Sequence, residues 1–174
     1  IHLAIFKKND VRTIYNLIYR DGKQGNTYMK RFPVKSITRD KEYDLTAGSK
    51  SSKLYHFSAN PNGEAEVVSI VLKSLAKTKK LKFDIDFADL AIKGRSSKGN
   101  LVSKHAIGKV ELKSKGVSTL AAQKIWFDDT VQRLNIDGRG ELLGEFAGDD
   151  KILVVSQSGE YQLLSFELTT HFPT

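Results

Sequence analysis

The chain has 174 residues, of which 40% are hydrophobic and 28% charged, with a formal charge of +8. That balance excludes wholesale disorder and leaves enough apolar residues for an ordinary core. It has no cysteine, which excludes disulfides and thiolate metal sites and fits a reducing compartment.

In chain order, the first segment, Ile1–Phe6, reads as a short strand. It opens without methionine, so the chain reads as a piece excised from a longer polypeptide. Lys7 and Lys8 follow that strand instead of preceding an apolar segment, which does not fit a signal peptide. No apolar run approaches the roughly 20 residues of a membrane helix. Ile14–Tyr19 leads into Asp21-Gly22, and Thr27–Phe32 returns from Gly25-Asn26. Aromatic and β-branched residues around Asp-Gly predict a hairpin. Lys53–Phe57 and Ala65–Leu72 flank Asn60-Pro61-Asn62-Gly63, which predicts a second hairpin with a longer turn. The segment 73–82 is lysine-rich and reads as an exposed basic connection. Leu81–Ile85, Leu101–Lys104, Lys109–Lys113, Lys124–Phe127 and Glu141–Phe146 each suit a short strand. Lys151–Ser156 and Glu160–Phe166 flank Ser158-Gly159 as a third hairpin. Ser118–Trp126 could form a turn or two of helix. Elsewhere no segment sustains apolar residues at helical spacing, and an all-β repeat protein is expected.

Three loops carrying glycine and base punctuate these strands: Gly48-Ser49-Lys50-Ser51-Ser52-Lys53, Gly94-Arg95-Ser96-Ser97-Lys98-Gly99 and Gly138-Arg139-Gly140. Their first glycines are 46 and 44 residues apart, a period typical of arrays of sheet modules. Charge rides unevenly on that period. Residues 1–120 carry 24 lysines and arginines against 11 acids, net +13, while residues 121–174 carry 4 against 9, net −5. A field of one sign over two thirds of the chain concentrates an extended polyanion. The plainer reading is a solvated surface that keeps the protein soluble.

Catalytic signatures are thin. His2, His56, His105 and His171 lack paired-ligand spacing. Asp84/Asp86/Asp89 and Asp128/Asp129 could form a glycosidase pair or a Ca²⁺ site, but alternating acids at a strand edge are more often solvated or paired with lysine. No nucleophile elbow, phosphate-binding P-loop or dinucleotide fingerprint occurs. Duplex nucleic acid is the better partner. Lys30, Arg31, Arg39, Lys41, Lys50, Lys53, Lys93, Arg95, Lys98, Lys104 and Lys109 sit in or beside loops, where flexible cations reach phosphates. Adjacent glycines let the backbone approach, and Ser51, Ser52, Ser96 and Ser97 add hydroxyl donors. With no recognition helix and no dense basic–aromatic alternation, backbone contact with bending is expected over base reading or stacking. The third loop, in the acidic stretch, is expected to shape or close the array. A propeller-like scaffold for an acidic protein partner is the alternative.

The strings Thr27–Phe32, Thr38–Thr46, Ser58–Glu66, Leu90–Arg95 and Gly144-Glu145-Phe146 resemble the C-terminal region of the DNA-cleaving, A-type subunit of bacterial DNA gyrase/topoisomerase IV, in the form found in Bacteroides and its relatives. The resemblance spans essentially the whole chain. It implies an all-β fold with little or no helix, a β-pinwheel or propeller-like array of about three to four four-stranded blades. Residues 1–174 would then be one C-terminal DNA-binding fragment that binds and bends duplex DNA on a basic rim. The parent enzyme it implies is a cytoplasmic, nucleoid-associated type IIA topoisomerase, an A₂B₂ assembly with a separate ATPase subunit. ATP and Mg²⁺ serve that holoenzyme, with no cofactor in this fragment. The cleaving tyrosine belongs to the N-terminal core, so Tyr15, Tyr19, Tyr28, Tyr43, Tyr55 and Tyr161 do not correspond to it. Gyrase proper carries a Gln-Arg-Arg-Gly-Gly-Lys-Gly box. Lys93-Gly94-Arg95-Ser96-Ser97-Lys98-Gly99 keeps a Gly-Arg and a Lys-Gly without the tandem arginines, closer to the degenerate boxes of topoisomerase IV-like blades. Relaxation and decatenation are therefore expected over negative supercoiling.

Overall fold

The computed structural model describes residues 2–4, 6, 10, 12–46, 48–74, 78–147, 150–165, 168 and 170–172. The expected strand 1–6 and Lys7 and Lys8 fall partly or wholly outside the described residues, as do 75–77 of the basic connection and Phe166 of the last hairpin. The chain divides into two compact units, Ile1–Thr119 and Leu120–Thr174.

Among the described residues the first unit holds seven strands: β1 (Ile14–Arg20), β2 (Thr27–Pro33), β3 (Lys53–Asn60), β4 (Val67–Leu72), β5 (Lys82–Asp86), β6 (Asn100–Ser103) and β7 (Ile107–Ser114). One sheet has the order β3-β1-β2-β6 and the other β5-β4-β7. The second unit holds β8 (Gln123–Asp128), β9 (Arg133–Asn135), β10 (Glu141–Phe146), β11 (Lys151–Val155) and β12 (Tyr161–Ser165), paired as β10-β8-β9 and β11-β12. Among the described residues helix is confined to one 3-10 turn, Phe87–Asp89, capped by the Asp86 carboxylate. The fold is thus nearly all-β, built of small antiparallel sheets, and consistent with a β-pinwheel.

Three of these sheets share one order. The first strand of each lies in the middle, flanked by the second and the third: β3-β1-β2, β7-β4-β5 and β10-β8-β9. Each of the three glycine loops lies between the second and third strand of its sheet, so the sequence period marks equivalent connections. The middle connection does more than the others. Leaving the 94–99 loop it lays down β6 against β2 of the neighbouring sheet, in register Thr27↔Ser103, Tyr28↔Leu101 and Met29↔Asn100, before returning as β7.

Two expectations are corrected. β3 and β4 do not form a hairpin: β3 pairs with β1, and β4 pairs with β5 and β7. The Asn60–Gly63 turn instead carries the chain from one sheet to the next. Ser118–Trp126 is not helical, because its second half is β8, whose Ile125 is wholly buried. β9 is only three residues long and shows no run to mark it in the sequence.

Both faces of the β1–β2 pair are covered, which is why these strands are buried almost throughout. One face sets Tyr15, Leu17, Tyr19, Tyr28 and Phe32 against Val34, Leu45 and Phe57. On the other, Ile18 and Met29 pack with Val68, Ile70, Leu72, Phe87 and Ile107. Because successive side chains of a strand alternate in direction, the adjacent bases Lys30 and Arg31 enter opposite faces.

Candidate nucleic-acid interface

Lys30 and Arg31 are not the exposed cations expected from the sequence. They are 2% and 1% exposed, lying within β2 and not in a loop. The Arg31 guanidinium donates to Asn16 Oδ1, Phe87 O, Gly63 O and Thr119 Oγ1 at 3.1, 3.3, 2.8 and 3.0 Å. A buried charge is tolerated only with its donors engaged in this way. Arg31 therefore fastens β1, the 63–64 turn, the 3-10 turn and Thr119 together. Glu66 completes this layer, accepting from Asn16 Nδ2 at 3.2 Å, from Ser58 Oγ, and in contact with His56 Nε2 at 3.1 Å. Burial works to raise the Glu66 carboxyl, yet the hydrogen bonds from His56, Ser58 and Asn16 outweigh it and leave its pKa below the ordinary value.

Lys30 points the other way, under the 94–99 loop. Its ammonium donates to Arg95 O at 2.6 Å and Ser97 O at 3.0 Å, and burial lowers its pKa. Beside it, the Tyr19 hydroxyl donates to Lys98 O at 2.7 Å. Burial lifts that phenol to about 12, with the nearby Asp21 charge adding to the shift, so it stays a donor at any working pH. Gly99 adopts φ +91°, and a Cβ there would strike the Met29 carbonyl. Glycine is needed there for both reasons.

The other candidate cations fall into two groups, with Lys109 apart from both. Exposed Lys41 and half-buried Arg95 share one ring: the Arg95 guanidinium lies 3.9 Å from the Tyr43 centroid and the Lys41 ammonium 5.5 Å. Arg95 Nη1 also donates to Ser36 O at 2.8 Å, tying the 34–46 loop to the 94–99 loop. Lys93 follows the main-chain bond from its N–H to Arg31 O and is itself exposed, as is Arg39 beside Asp40.

The second group lines one end of the four-stranded sheet. Lys53, Arg20, Thr27 and Ser103 form a continuous row of register partners across β3, β1, β2 and β6. That row spans about 14 Å, three ordinary strand spacings, and exposed Lys104 follows Ser103 directly. Exposed Lys50 lies in the same region, since Ser52 Oγ accepts from Gly22 N in the β1–β2 turn. Asp21 of that turn has its pKa lowered by a hydrogen bond from Ser49, with the Lys98 charge contributing. The 48 and 94 loops are thus gathered around one end of one sheet. Lys109 stands outside this set, on β7 of the other sheet and paired with Glu111 at 2.6 Å.

Sequence reasoning missed the tyrosines that carry these cations. Lys98 sits 4.5 Å from the Tyr28 ring and Lys53 5.8 Å from Tyr55. Lys41-Glu42-Tyr43 and Lys53-Leu54-Tyr55 do hold the signal, a base and an aromatic two residues apart. Arg20 and Lys35 are further bases that the sequence pattern does not single out, the former because it lies in a strand.

The acidic clusters have local partners. Asp84 pairs with Lys113, Asp86 caps the 3-10 turn and Asp128 binds the Thr130 and Val131 amides. Among the described residues no group of three or more His, Asp or Glu is placed to hold a metal ion. In the second unit, Asn135 pins the third glycine loop, accepting from Asp137 N and Arg139 N and donating to Arg139 O. Among the described residues no helix is long and apolar enough to cross a membrane.

The family model of the topoisomerase C-terminal domain of Bacteroidota matches residues 1–115 and 133–174. No curated protein and no solved structure matches the chain.

Proposed function

The chain belongs to the topoisomerase C-terminal domain family of Bacteroidota, and from that premise we propose that it binds duplex DNA without sequence preference and bends it. The observation that supports this reading best is the gathering of the 48 and 94 loops at one end of the four-stranded sheet, where Lys50, Lys53, Lys98 and Lys104 join Arg20. Lys41, Lys93 and Arg95 extend the positive surface along the 34–46 and 94–99 loops. A duplex lying on it exchanges counterions for lysine and arginine, which gives affinity without base reading.

In this reading the domain works in cis with the N-terminal cleavage core of its own polypeptide, within an A₂B₂ type IIA topoisomerase whose other component is the ATPase. Those parts supply the cleaving tyrosine, the Mg²⁺ chemistry and ATP hydrolysis. This domain supplies geometry, presenting a bent segment for strand passage. The absence of tandem arginines in Lys93–Gly99 favours topoisomerase IV-like relaxation and decatenation over gyrase-type wrapping.

Fluorescence anisotropy with a duplex of about 40 base pairs tests the binding. With about six phosphates neutralised, the log–log salt slope is about −5. A slope near zero, or no binding at low salt, overturns the proposal. Topology assays on the holoenzyme separate the two activities: supercoiling of relaxed circles with ATP would overturn the decatenase assignment alone.

A further inference from the structure

We propose that residues 94–99 form a phosphate cradle, in which the backbone amides of Ser96 and Lys98 bind a phosphodiester of the duplex. The buried Lys30 ammonium and the Tyr19 hydroxyl hold that cradle in its binding conformation. This rests on the DNA-binding reading above and assigns it a particular contact.

The geometry follows from three hydrogen bonds and the planarity of the peptide. Lys30 Nζ takes the carbonyls of Arg95 and Ser97, and Tyr19 takes that of Lys98. All three carbonyls therefore face β1 and β2. In a trans peptide the carbonyl of one residue and the N–H of the next point in opposite directions. Drawing in the carbonyls of Arg95 and Ser97 turns the N–H groups of Ser96 and Lys98 outward, on two residues whose side chains are exposed. The amide between them, Ser97 N–H, is spent on Gly94 O at 3.0 Å. Outward amides of this kind make anion-binding concavities. The Ser96 hydroxyl and the Arg95 and Lys98 charges stand beside them, with the Lys30 charge beneath. Asp44, whose charge acts on Lys30, is engaged with Thr46. Lys30 thus acts as a positioning residue: it reaches no phosphate itself.

Amide NMR on the 174-residue chain at low salt tests the cradle, with a duplex of about 20 base pairs, long enough to cover the basic end, and, separately, inorganic phosphate as probes. The expected result is that duplex moves the Ser96 and Lys98 amide protons downfield and leaves Ser97 nearly still. Tyr19→Phe keeps the ring and removes one bond. It should weaken duplex binding about three- to tenfold, the worth of one hydrogen bond, and shrink both amide shifts without lowering Tm by more than a few degrees. Lys30→Met should do the same more strongly, and Tyr19→Phe carries the test if that variant fails to fold. A readout beyond stability comes from the Arg95→Gln/Lys98→Gln background, where Tyr19→Phe should still reduce affinity because the backbone contact survives.

Movement of the Arg95 and Lys98 side chains with unmoved Ser96 and Lys98 amides overturns the cradle while DNA binding stands. Shifts with inorganic phosphate but none with duplex overturn its assignment to DNA. Absence of any duplex binding in the anisotropy experiment overturns the DNA-binding reading itself.

Discussion

Arg31 Nε donates to Asn16 Oδ1 at 3.1 Å, and the same Asn16 side chain donates through Nδ2 to Glu66 at 3.2 Å. One amide thus joins a buried cation to a buried anion that it keeps apart. Replacing Arg31 by Met should remove every donor at once and leave Asn16, Phe87 O, Gly63 O and the Glu66 charge poorly compensated. The expected loss is about 3 to 5 kcal/mol, read as a lower denaturant midpoint. Arg31→Lys should recover little, since one ammonium cannot span those acceptors.

Glu66 makes the first unit acid-labile. Its pKa in the folded chain lies below the ordinary carboxylate value, so its ionised form contributes stability that is complete above about pH 4.3, the unfolded value. That contribution is lost as pH falls through the folded pKa. Thermal melts from neutral into acid should show the midpoint dropping below about pH 4.3. Glu66→Gln should start less stable and show a flatter acid limb. An unchanged limb would remove Glu66 as its source.

Charge reversal separates the basic end from the rest of the surface. Lys50→Glu with Lys53→Glu, or Arg95→Glu with Lys98→Glu, should each weaken duplex binding. With about two fewer phosphates neutralised, the salt slope should become about 2 less steep. Glu141→Gln with Glu145→Gln should change neither. Tighter binding from the Glu141/Glu145 pair, about half as large as the weakening from either reversed pair, would point to net charge alone.

Two glycines of one loop should behave oppositely. Gly94 has open space around it and no positive φ, whereas Gly99 combines φ +91° with a clash against Met29 O. Gly99→Ala should cost about 1 to 3 kcal/mol and lower duplex affinity, because the loop must move off β2. Gly94→Ala should leave the melting temperature unchanged. Paired melts and anisotropy titrations check both.

Much of this was legible along the chain because the strongest signals are local. Asp21-Gly22 and Ser158-Gly159 mark hairpins that pair as β1–β2 and β11–β12, and Glu141–Phe146 is β10 to the residue. The failures arise where long-range pairing decides. Asn60–Gly63 looks like a hairpin turn, but the Gly63 carbonyl is claimed by Arg31, and the strands it joins go to different sheets. Lys30 and Arg31 read as loop cations because composition is blind to burial. Both strand faces are covered here, so a basic pair that would be solvated on an ordinary β edge becomes internal. Tyr28 under Lys98 depends on β6 crossing over, which no local pattern announces.

That crossing has a mechanical consequence. β6 belongs to the connection between β5 and β7 but lies along β2, so the chain runs from one sheet into the next and back in a single connection. A pull on the 94–99 loop passes into two hydrogen-bonded ladders at once. To peel the loop away, load must break the β2–β6 pairing on one side and draw on the β4–β7 pairing on the other. Stiff DNA held there would strain the unit as a whole before it unzipped any one strand.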